Sequence, residues 1–183
     1  MRQLKHHEKA LLRKVNLYSW KNDSNIRVAK ILRTYYIQNR EDYIAYDRIC
    51  GHVTSLASKL KTLEKDDAFR LEMTKQLLKK LYDNGVIDSA TSLEKAERIS
   101  ASAFCRRRLP VIMVRHQMSA TVRSATELVE TGQVRVGPNV VTDPAFLVGR
   151  AMEDFVTWVD GGKVKRAVAK YNGKLDDFEL LQG

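Results

Sequence analysis

Arginine residues recur between positions 106 and 135, and five of them could form one basic face: Arg107, Arg108, Arg115, Arg123 and Arg135. A guanidinium group is planar and presents a fork of N–H donors that matches the oxygens of a phosphate group. Seven residues of an ideal helix rise about 10 Å, so Arg108 and Arg115 are spaced to reach different phosphates along one strand. These side chains therefore predict a surface that binds the backbone of a polyanion.

The charge of the whole chain also favours a polyanionic partner. The 183 residues carry a formal net charge of +10. Residues 1–40 hold ten Lys or Arg against two acids, and residues 101–150 hold seven against three. Such a balance indicates a nucleic acid or an anionic membrane. No apolar run approaches the roughly 20 residues of a membrane span, and the amino terminus lacks the apolar core of a secretion signal. Charge alone allows membrane binding, but no clear apolar face with interfacial aromatics supports it, so we expect a nucleic acid and no membrane.

Residues that could perform catalysis or hold a metal show no spacing typical of such sites. Cys50 and Cys105 are far apart and form no CxxC pair, so we expect buried small apolar residues in a reducing intracellular compartment. The four histidines lack the spacing of zinc ligands, and no phosphate-binding GxxxxGK(S/T) loop occurs. We therefore expect no catalytic residue, no metal and no cofactor.

Hydrophobic periodicity predicts helices over most of the first hundred residues. Residues 3–20 could form an amphipathic helix or an arm that orders on binding. Helices are expected from about Ile26 to Ile37, from near Glu41, and from after Asp66 and Asp67 to the stop at Asn84-Gly85. Thr91 and Glu94 predict a capping box for a short fifth helix. The third and fourth helices are expected to pack as a hairpin through two apolar stripes, which are Ile49, Val53, Leu56, Ala57, Leu60 and Leu63, and Phe69, Met73, Leu77 and Leu81.

The pattern changes near Phe104 to a compact helix-to-hairpin order. Pro110, tolerated in a first helical turn, opens a helix whose inward stripe includes Leu109 and His116. Ser119 or Thr121 can cap the next helix. The remaining predicted features are a helix end at Gly132, a strand at 133–136, a turn at 137–139, strands at 140–141 and 155–159, and a basic helix at 163–171.

This order resembles the RNA-binding domain of the ribosomal protein S4 family, also called the alpha-L motif. The string RRRLPVIMVRHQMSATVRSATELVETGQVRVGPNVV carries the resemblance. Arg108-Leu109 matches the usual opening, with Pro110 in place of the usual acid. Val122 and Thr126 stand where arginines are usual, and Gly137-Pro138 replaces Asn-Gly. The framework positions that match are Ala125, Leu128, Val129, Gly132, Val134 and Val136.

The flanking strings KLKTLEKDDAFRLEMTKQLLKKLYDNGVI and VVTDPAFLVGRAMEDFVTWVD extend the resemblance over nearly the full length. They look like the S4-like proteins of the U3 small nucleolar ribonucleoprotein. That resemblance implies a nucleolar assembly factor of the small-subunit processome, which helps U3 RNA pair with the small-subunit rRNA precursor. It also implies two protein partners, an acidic M-phase phosphoprotein scaffold and a Brix-domain protein.

We accordingly expect a mostly helical α+β protein, with a basic arm and helical region at 1–104, an S4-like domain of two short helices and a small sheet at 105–171, and a tail at 172–183. Recognition of A-form or hairpin shape would place phosphates against the basic face. The predicted RNA-binding residues are Arg106, Arg107, Arg108, Arg115, Thr121, Arg123, Ser124, Gly132, Gln133 and Arg135.

Three other functions compete with this prediction. A permanent small-subunit ribosomal protein of the S4 family would carry the same domain. An enzyme could use the module as an accessory, although 183 residues leave no room for a further catalytic domain. A protein adaptor could use its positive charge to meet an acidic scaffold instead of RNA.

Overall fold

The structure is a computed structural model, and it describes residues 2–14 and 25–174. Contacts divide the chain into two compact units, with the boundary between Thr34 and Tyr35. The elements of the first unit are α1 (His6–Lys14) and α2 (Asn25–Thr34). Those of the second are α3 (Arg40–Thr62), α4 (Ala68–Asp83), α5 (Leu93–Glu97), α6 (Ala101–Cys105), α7 (Leu109–Arg115), α8 (Val122–Glu130), β1 (Val134–Val136), β2 (Asn139–Val140), α9 (Arg150–Glu153), β3 (Val156–Trp158) and α10 (Lys163–Tyr171).

Helices α1 and α2 confirm that both amino-terminal segments are helical, with bounds that differ from the predicted ones. At the start of α1, Arg2 pairs with Glu8 at 2.6 Å, and the Lys5 N–H donates to the same carboxylate. The part of the first prediction at 15–20 lies outside the described residues. The second prediction ran to residue 37, whereas α2 ends at Thr34. Tyr36 has a φ of 46°, which a right-handed helix does not allow.

The helical part of the second unit has its own core, and the predicted stripe on α3 is partly wrong. Ala57 and Leu60 are buried as expected, but Ile49, Leu56 and Leu63 are exposed. Helix α3 packs mainly against α5 and α6 and less against α4, so its buried face is rotated away from a simple hairpin. The core of this region comprises Ala57, Leu78, Leu81, Ile87 and Ala96.

Local capping chemistry fixes the ends of these helices. The Asp67 carboxylate accepts from the Phe69 N–H at 3.0 Å and caps α4. Helix α4 ends at Asp83 with Asn84 as its cap residue, and Gly85 follows with a φ of 70°, which confirms the predicted stop. The predicted capping box is wrong by one residue, because Ser92 occupies the cap position of α5. The Thr91 hydroxyl instead lies 3.3 Å from that of Ser89.

The predicted helix-to-hairpin order is confirmed. Helices α7 and α8 pack on a three-stranded antiparallel sheet of order β2-β1-β3, in which Arg135 lies opposite Val140 and Thr157. His116 caps α7 and is not part of the core, contrary to the predicted stripe. The buried core consists of Leu109, Ile112, Met113, Ala125, Val129, Val134, Val136, Val148 and Val156.

A second set of contacts joins the end of α4 to the segment around α9. The Arg150 guanidinium donates to the Tyr82 carbonyl at 2.9 Å and to the Ile87 carbonyl at 2.8 Å. It also lies 4.2 Å from the centre of the Tyr82 ring, a cation–π distance. The Tyr82 carbonyl also accepts from the Gly85 N–H at 2.8 Å, so Arg150 adds a further donor at the carboxyl end of α4.

Both cysteines are buried, as predicted. Burial raises the pKa of Cys50 and of Cys105 to about 11. In the described ranges, no three His, Cys, Asp or Glu side chains are grouped so that they could hold a metal ion. Within the same ranges, every helix is too short or too polar to cross a membrane.

Gly85→Ala should destabilise the protein by about 2–4 kcal/mol. A Cβ at this position would lie 2.7 Å from Cζ and Nε of Arg107, and the φ of 70° is strained for any L side chain. Gly137→Ala is the matched control, since its φ is 60° but the added carbon would meet nothing within 4 Å. Urea unfolding should show a loss near 1 kcal/mol there. Equal losses of stability in the two variants would show that the contact between residue 85 and Arg107 contributes nothing.

The thiols should resist modification in the folded state. With a pKa of about 11, only about one thiol in a thousand is ionised near pH 8. Because folding raises the pKa above its ordinary value of about 8.5, the stability linked to these thiols is complete below about pH 8.5 and is lost as the pH rises towards 11. A thiol-reactive dye should therefore label both cysteines slowly in buffer and rapidly in concentrated urea. Rapid labelling of native protein would contradict their burial.

Candidate nucleic-acid interface

Three of the predicted arginines present their side chains to solvent. Arg106 is exposed, and its Nε donates only a long bond of 3.4 Å to the Ser102 carbonyl. The side chains of Arg115, at the end of α7, and Arg123, in the first turn of α8, are 69% and 72% exposed. Since α7 and α8 pack directly against each other, one helix pair positions both of these guanidinium groups.

Each exposed arginine of this helix pair has a weak internal partner. Arg115 lies 3.3 Å from Glu153, and Arg123 lies 3.4 Å from Glu127 one turn further along α8. Arg123 also lies 6.0 Å from the centre of the Tyr36 ring. Exposed pairs of this kind contribute about 0–1 kcal/mol. A phosphate group can therefore replace the carboxylates at little cost.

The first turn of α8 is closed by two residues of the predicted set. The Thr121 hydroxyl accepts from the Ser124 N–H at 3.2 Å, which confirms Thr121 as the cap. Both residues are exposed. A hydroxyl that accepts a hydrogen bond can still donate one, so the hydroxyl groups of Thr121 and Ser124 are both able to donate to a phosphate.

Gly132 and Gln133 lead from α8 into β1. Gly132 has a φ of 68°, which reverses the chain direction at the helix end. The Gln133 carbonyl then accepts from the Val159 N–H at 3.0 Å, and its side-chain Oε1 is buried without a partner among the described residues. These two residues position the sheet beneath α8, and a direct RNA contact by either stays a prediction.

Arg135 lies on the sheet and is tied to neighbouring side chains. Its Nε donates to the Thr157 hydroxyl at 3.1 Å, and its Nη1 pairs with Asp160 at 2.5 Å. A hydrogen bond from Lys165, helped by the charge of Arg135, holds the pKa of Asp160 below its ordinary value. Arg135 therefore presents only part of its positive charge, with its side chain 32% exposed.

The structure contradicts the predicted surface position of Arg107. This residue is 6% exposed. Its Nε and Nη2 donate to the Val148 carbonyl at 2.9 and 2.7 Å, and its Nη1 pairs with Glu153 at 3.0 Å. All of these acceptors belong to the segment that leads into and through α9. The guanidinium therefore bonds within the protein interior and is not part of an exposed basic face.

Arg108 is a second correction. It is 2% exposed, and its Nη1 pairs with Asp42 at 2.9 Å and lies 3.3 Å from the Tyr46 hydroxyl. It is the residue that caps α7, with extended backbone angles, and a β-bridge joins it to Leu147. It therefore does not share a helix face with Arg115. Because Asp42 neutralises Arg108 inside the protein, Arg108 adds no positive charge to the surface.

One basic residue that the structure exposes next to Glu153 was predicted to lie in the core, and the exposed residues of the predicted basic helix were not included in the predicted site. His116 lies 4.0 Å from Glu153 and is 36% exposed in its side chain, although its spacing suggested the core. Its position at the end of α7, where the next residue Gln117 has a φ of 59°, is the signal that could have placed it outside. Helix α10 adds an exposed basic set, which consists of Lys163, Lys165, Arg166 and Lys170.

Two family models match the chain in succession. The "Ribosomal protein S4/S9 N-terminal domain" matches residues 3–106, and the "S4 domain" matches residues 107–154. The chain is 49% identical to "U3 small nucleolar ribonucleoprotein protein IMP3" of Saccharomyces cerevisiae, over 98% of this chain and 99% of that protein. Its human counterpart is 47% identical, over 98% of each chain. The chain belongs to the IMP3 family of S4-domain proteins.

More distant relatives are named as ribosomal proteins. "Small ribosomal subunit protein uS4" of Pyrobaculum aerophilum is 27% identical, over 76% of this chain and 87% of that protein. The two family models meet between Arg106 and Arg107. The buried arginines therefore stand at the start of the S4 domain, and Arg108 reaches back to Asp42 in the preceding one. The boundary between the two matched parts therefore lies where the Arg108–Asp42 ion pair connects them.

Asp42→Ala should destabilise the protein by about 2–3 kcal/mol, because it leaves the Arg108 guanidinium buried without its partner. A fully buried pair would cost about 3–5 kcal/mol, but Asp42 keeps 24% of its side-chain exposure, which allows water to screen the charge. Asp47→Ala, at an exposed carboxylate of the same helix, should change stability by less than about 0.5 kcal/mol. Urea unfolding of both variants makes the comparison, and equal losses would show that the Arg108 pair contributes nothing.

Proposed function

We propose that this protein is a noncatalytic RNA-binding assembly factor of the U3 small nucleolar ribonucleoprotein. In this role it acts in the nucleolus and promotes pairing of U3 RNA with the small-subunit rRNA precursor. The observation that carries the proposal is the near full-length similarity to proteins named for that particle. The exposed guanidinium groups of Arg115 and Arg123 on adjoining helices give a physical basis for holding RNA.

The proposed mechanism is annealing. Two complementary RNA strands repel each other through their phosphates, and each hides its pairing segment in local structure. Arg106, Arg115 and Arg123 neutralise phosphates and lower that repulsion, while contacts to backbone and 2′-hydroxyl groups favour A-form geometry. The reaction forms base pairs only, so it needs no acid, base or nucleotide from the protein.

Protein partners complete the proposal. The acidic phosphoprotein scaffold and the Brix-domain protein would hold the chain in the particle. Apolar side chains available for such contacts lie along α3, where Ile49 and Leu56 are exposed seven residues apart. That spacing places them on one helix face, as in docking of one helix against another.

A small-subunit ribosomal protein is the second candidate, and the 27% identity to an archaeal uS4 protein is the observation behind it. In-cell crosslinking with sequencing of bound RNA separates the two. Reads on U3 RNA and the rRNA precursor support the assembly factor. Reads spread over mature small-subunit rRNA support the ribosomal protein, and an absence of reads favours a protein adaptor.

Replacing Arg115 and Arg123 together with Ala should flatten the salt dependence of RNA binding. Each phosphate contact contributes about 0.7–0.9 to the slope of log affinity against log salt, so the double variant should lose about 1.4–1.8. Filter binding to a U3 RNA fragment that contains its rRNA-pairing segments measures this slope. Arg48→Ala, at an exposed arginine of α3, is the single-charge control and should leave the slope unchanged.

The same variants test annealing. Wild-type protein should accelerate pairing of the U3 fragment with its rRNA complement at low micromolar concentration, and the double variant should lose most of that acceleration. Fluorescence quenching between labelled strands follows the reaction. Wild-type protein that binds RNA without accelerating pairing would overturn the mechanism and leave RNA binding intact.

A further inference from the structure

A cleft with a volume of about 450 Å³ opens beside Arg106, on residues that precede the S4 domain. Small-ligand sites in proteins typically measure about 300–1,000 Å³, so the cleft has the size of a binding site for one small group. It is bounded by the turn after α4 and by both ends of α5 and the start of α6. None of the residues in the predicted RNA-binding set lines it except Arg106.

Basic side chains surround the cleft. Arg98, Arg106 and Lys95 line it, against the carboxylates Asp88 and Glu94, which leaves one excess positive charge. Arg98 and Arg106 are exposed. Among the described residues, neither arginine forms an ion pair with an acid, and Lys95 donates to the Ser89 hydroxyl. Both guanidinium groups are therefore available to an anion at the mouth of the cleft.

The interior of the cleft is of mixed character. Val86, Ile99 and Ala103 provide an apolar wall. Ser92 and Ser100 also line it, and each stands at a helix cap position without capping its helix through its hydroxyl. Those hydroxyl groups remain available as donors or acceptors towards the cleft, although Ser100 also lies 2.8 Å from the Ser102 hydroxyl. An apolar wall, two hydroxyls and two guanidinium groups together fit a nucleotide.

We propose that this cleft binds one nucleotide of a single-stranded RNA segment that adjoins the duplex held by the S4 domain. The base lies against the wall of Val86, Ile99 and Ala103, and the phosphate lies beside Arg98 and Arg106. An RNA strand fits better than a free nucleotide, because the cleft is open to solvent and Arg106 immediately precedes the S4 domain. The inference rests on the proposed RNA-binding function and adds a second contact to it.

The test compares two RNAs on the full-length protein. One is a blunt RNA hairpin, and the other is the same hairpin with four uridines added at each end. Arg98→Gln should weaken binding of the tailed RNA by about tenfold, the value of one charge-assisted hydrogen bond, and should flatten its salt slope by about 0.7. Binding of the blunt hairpin should not change. Arg48→Gln removes the same charge from exposed α3 and should affect neither RNA.

Ser92→Trp gives an independent variant, since it fills the cleft without changing charge. It should also weaken the tailed RNA selectively, with circular dichroism confirming that the fold is kept. Replacing the tail uridines with 4-thiouridine should yield photocrosslinks within residues 86–106, mapped by mass spectrometry.

The outcomes separate this inference from the proposed function. If the wild type binds both RNAs but Arg98→Gln changes neither affinity and the crosslinks fall elsewhere, the cleft does not bind RNA and the function stands. If the wild type binds neither RNA at moderate salt, RNA binding itself fails. If Arg98→Gln and Arg48→Gln weaken the binding of both RNAs equally, the effect is one of net charge. That result would overturn the proposal that the cleft binds a nucleotide.

Discussion

The burial of two guanidinium groups is the constraint on which the second unit depends. An arginine stays charged at every accessible pH, and a charge removed from water must find partners inside the protein. Arg107 finds them at Val148 and Glu153, and Arg108 finds them at Asp42 and Tyr46. These partners come from positions 42 to 153, so satisfying two neighbouring residues fixes the helical part, the start of α7 and the α9 segment relative to one another.

The surrounding packing reinforces the same arrangement. Tyr46 stacks on Phe104 with the ring centres 6.0 Å apart, and Arg150 closes the carbonyl end of α4. Gly85 lies against the Arg107 guanidinium, where no side chain would fit. Charge, aromatic packing and a glycine turn therefore act together where the two matched parts of the chain meet.

Sequence reasoning reached the features that depend on local chemistry. The stop at Gly85, the Thr121 cap, the Gly132 turn, the strands of the small sheet and the bounds of α10 each follow from a few adjacent residues. The same reasoning placed Arg107 and Arg108 on the surface, because their partners Asp42 and Glu153 lie tens of residues away and no local pattern marks them. The prediction of the buried face of α3 was partly wrong for a related reason, because α5 and α6, and not α4, supply most of the contacts of α3.

The two carboxylate oxygens of Glu153 accept from two different arginines, one buried and one exposed. Oε2 accepts from the buried Arg107, and Oε1 accepts from the solvent-facing Arg115. If Arg115 leaves Glu153, Oε2 still accepts from Arg107, so the buried guanidinium remains neutralised. The movement of Arg115 then breaks only a surface ion pair, worth about 0–1 kcal/mol. Because its two oxygens serve separate partners, Glu153 allows Arg115 to change position without loss of the buried ion pair.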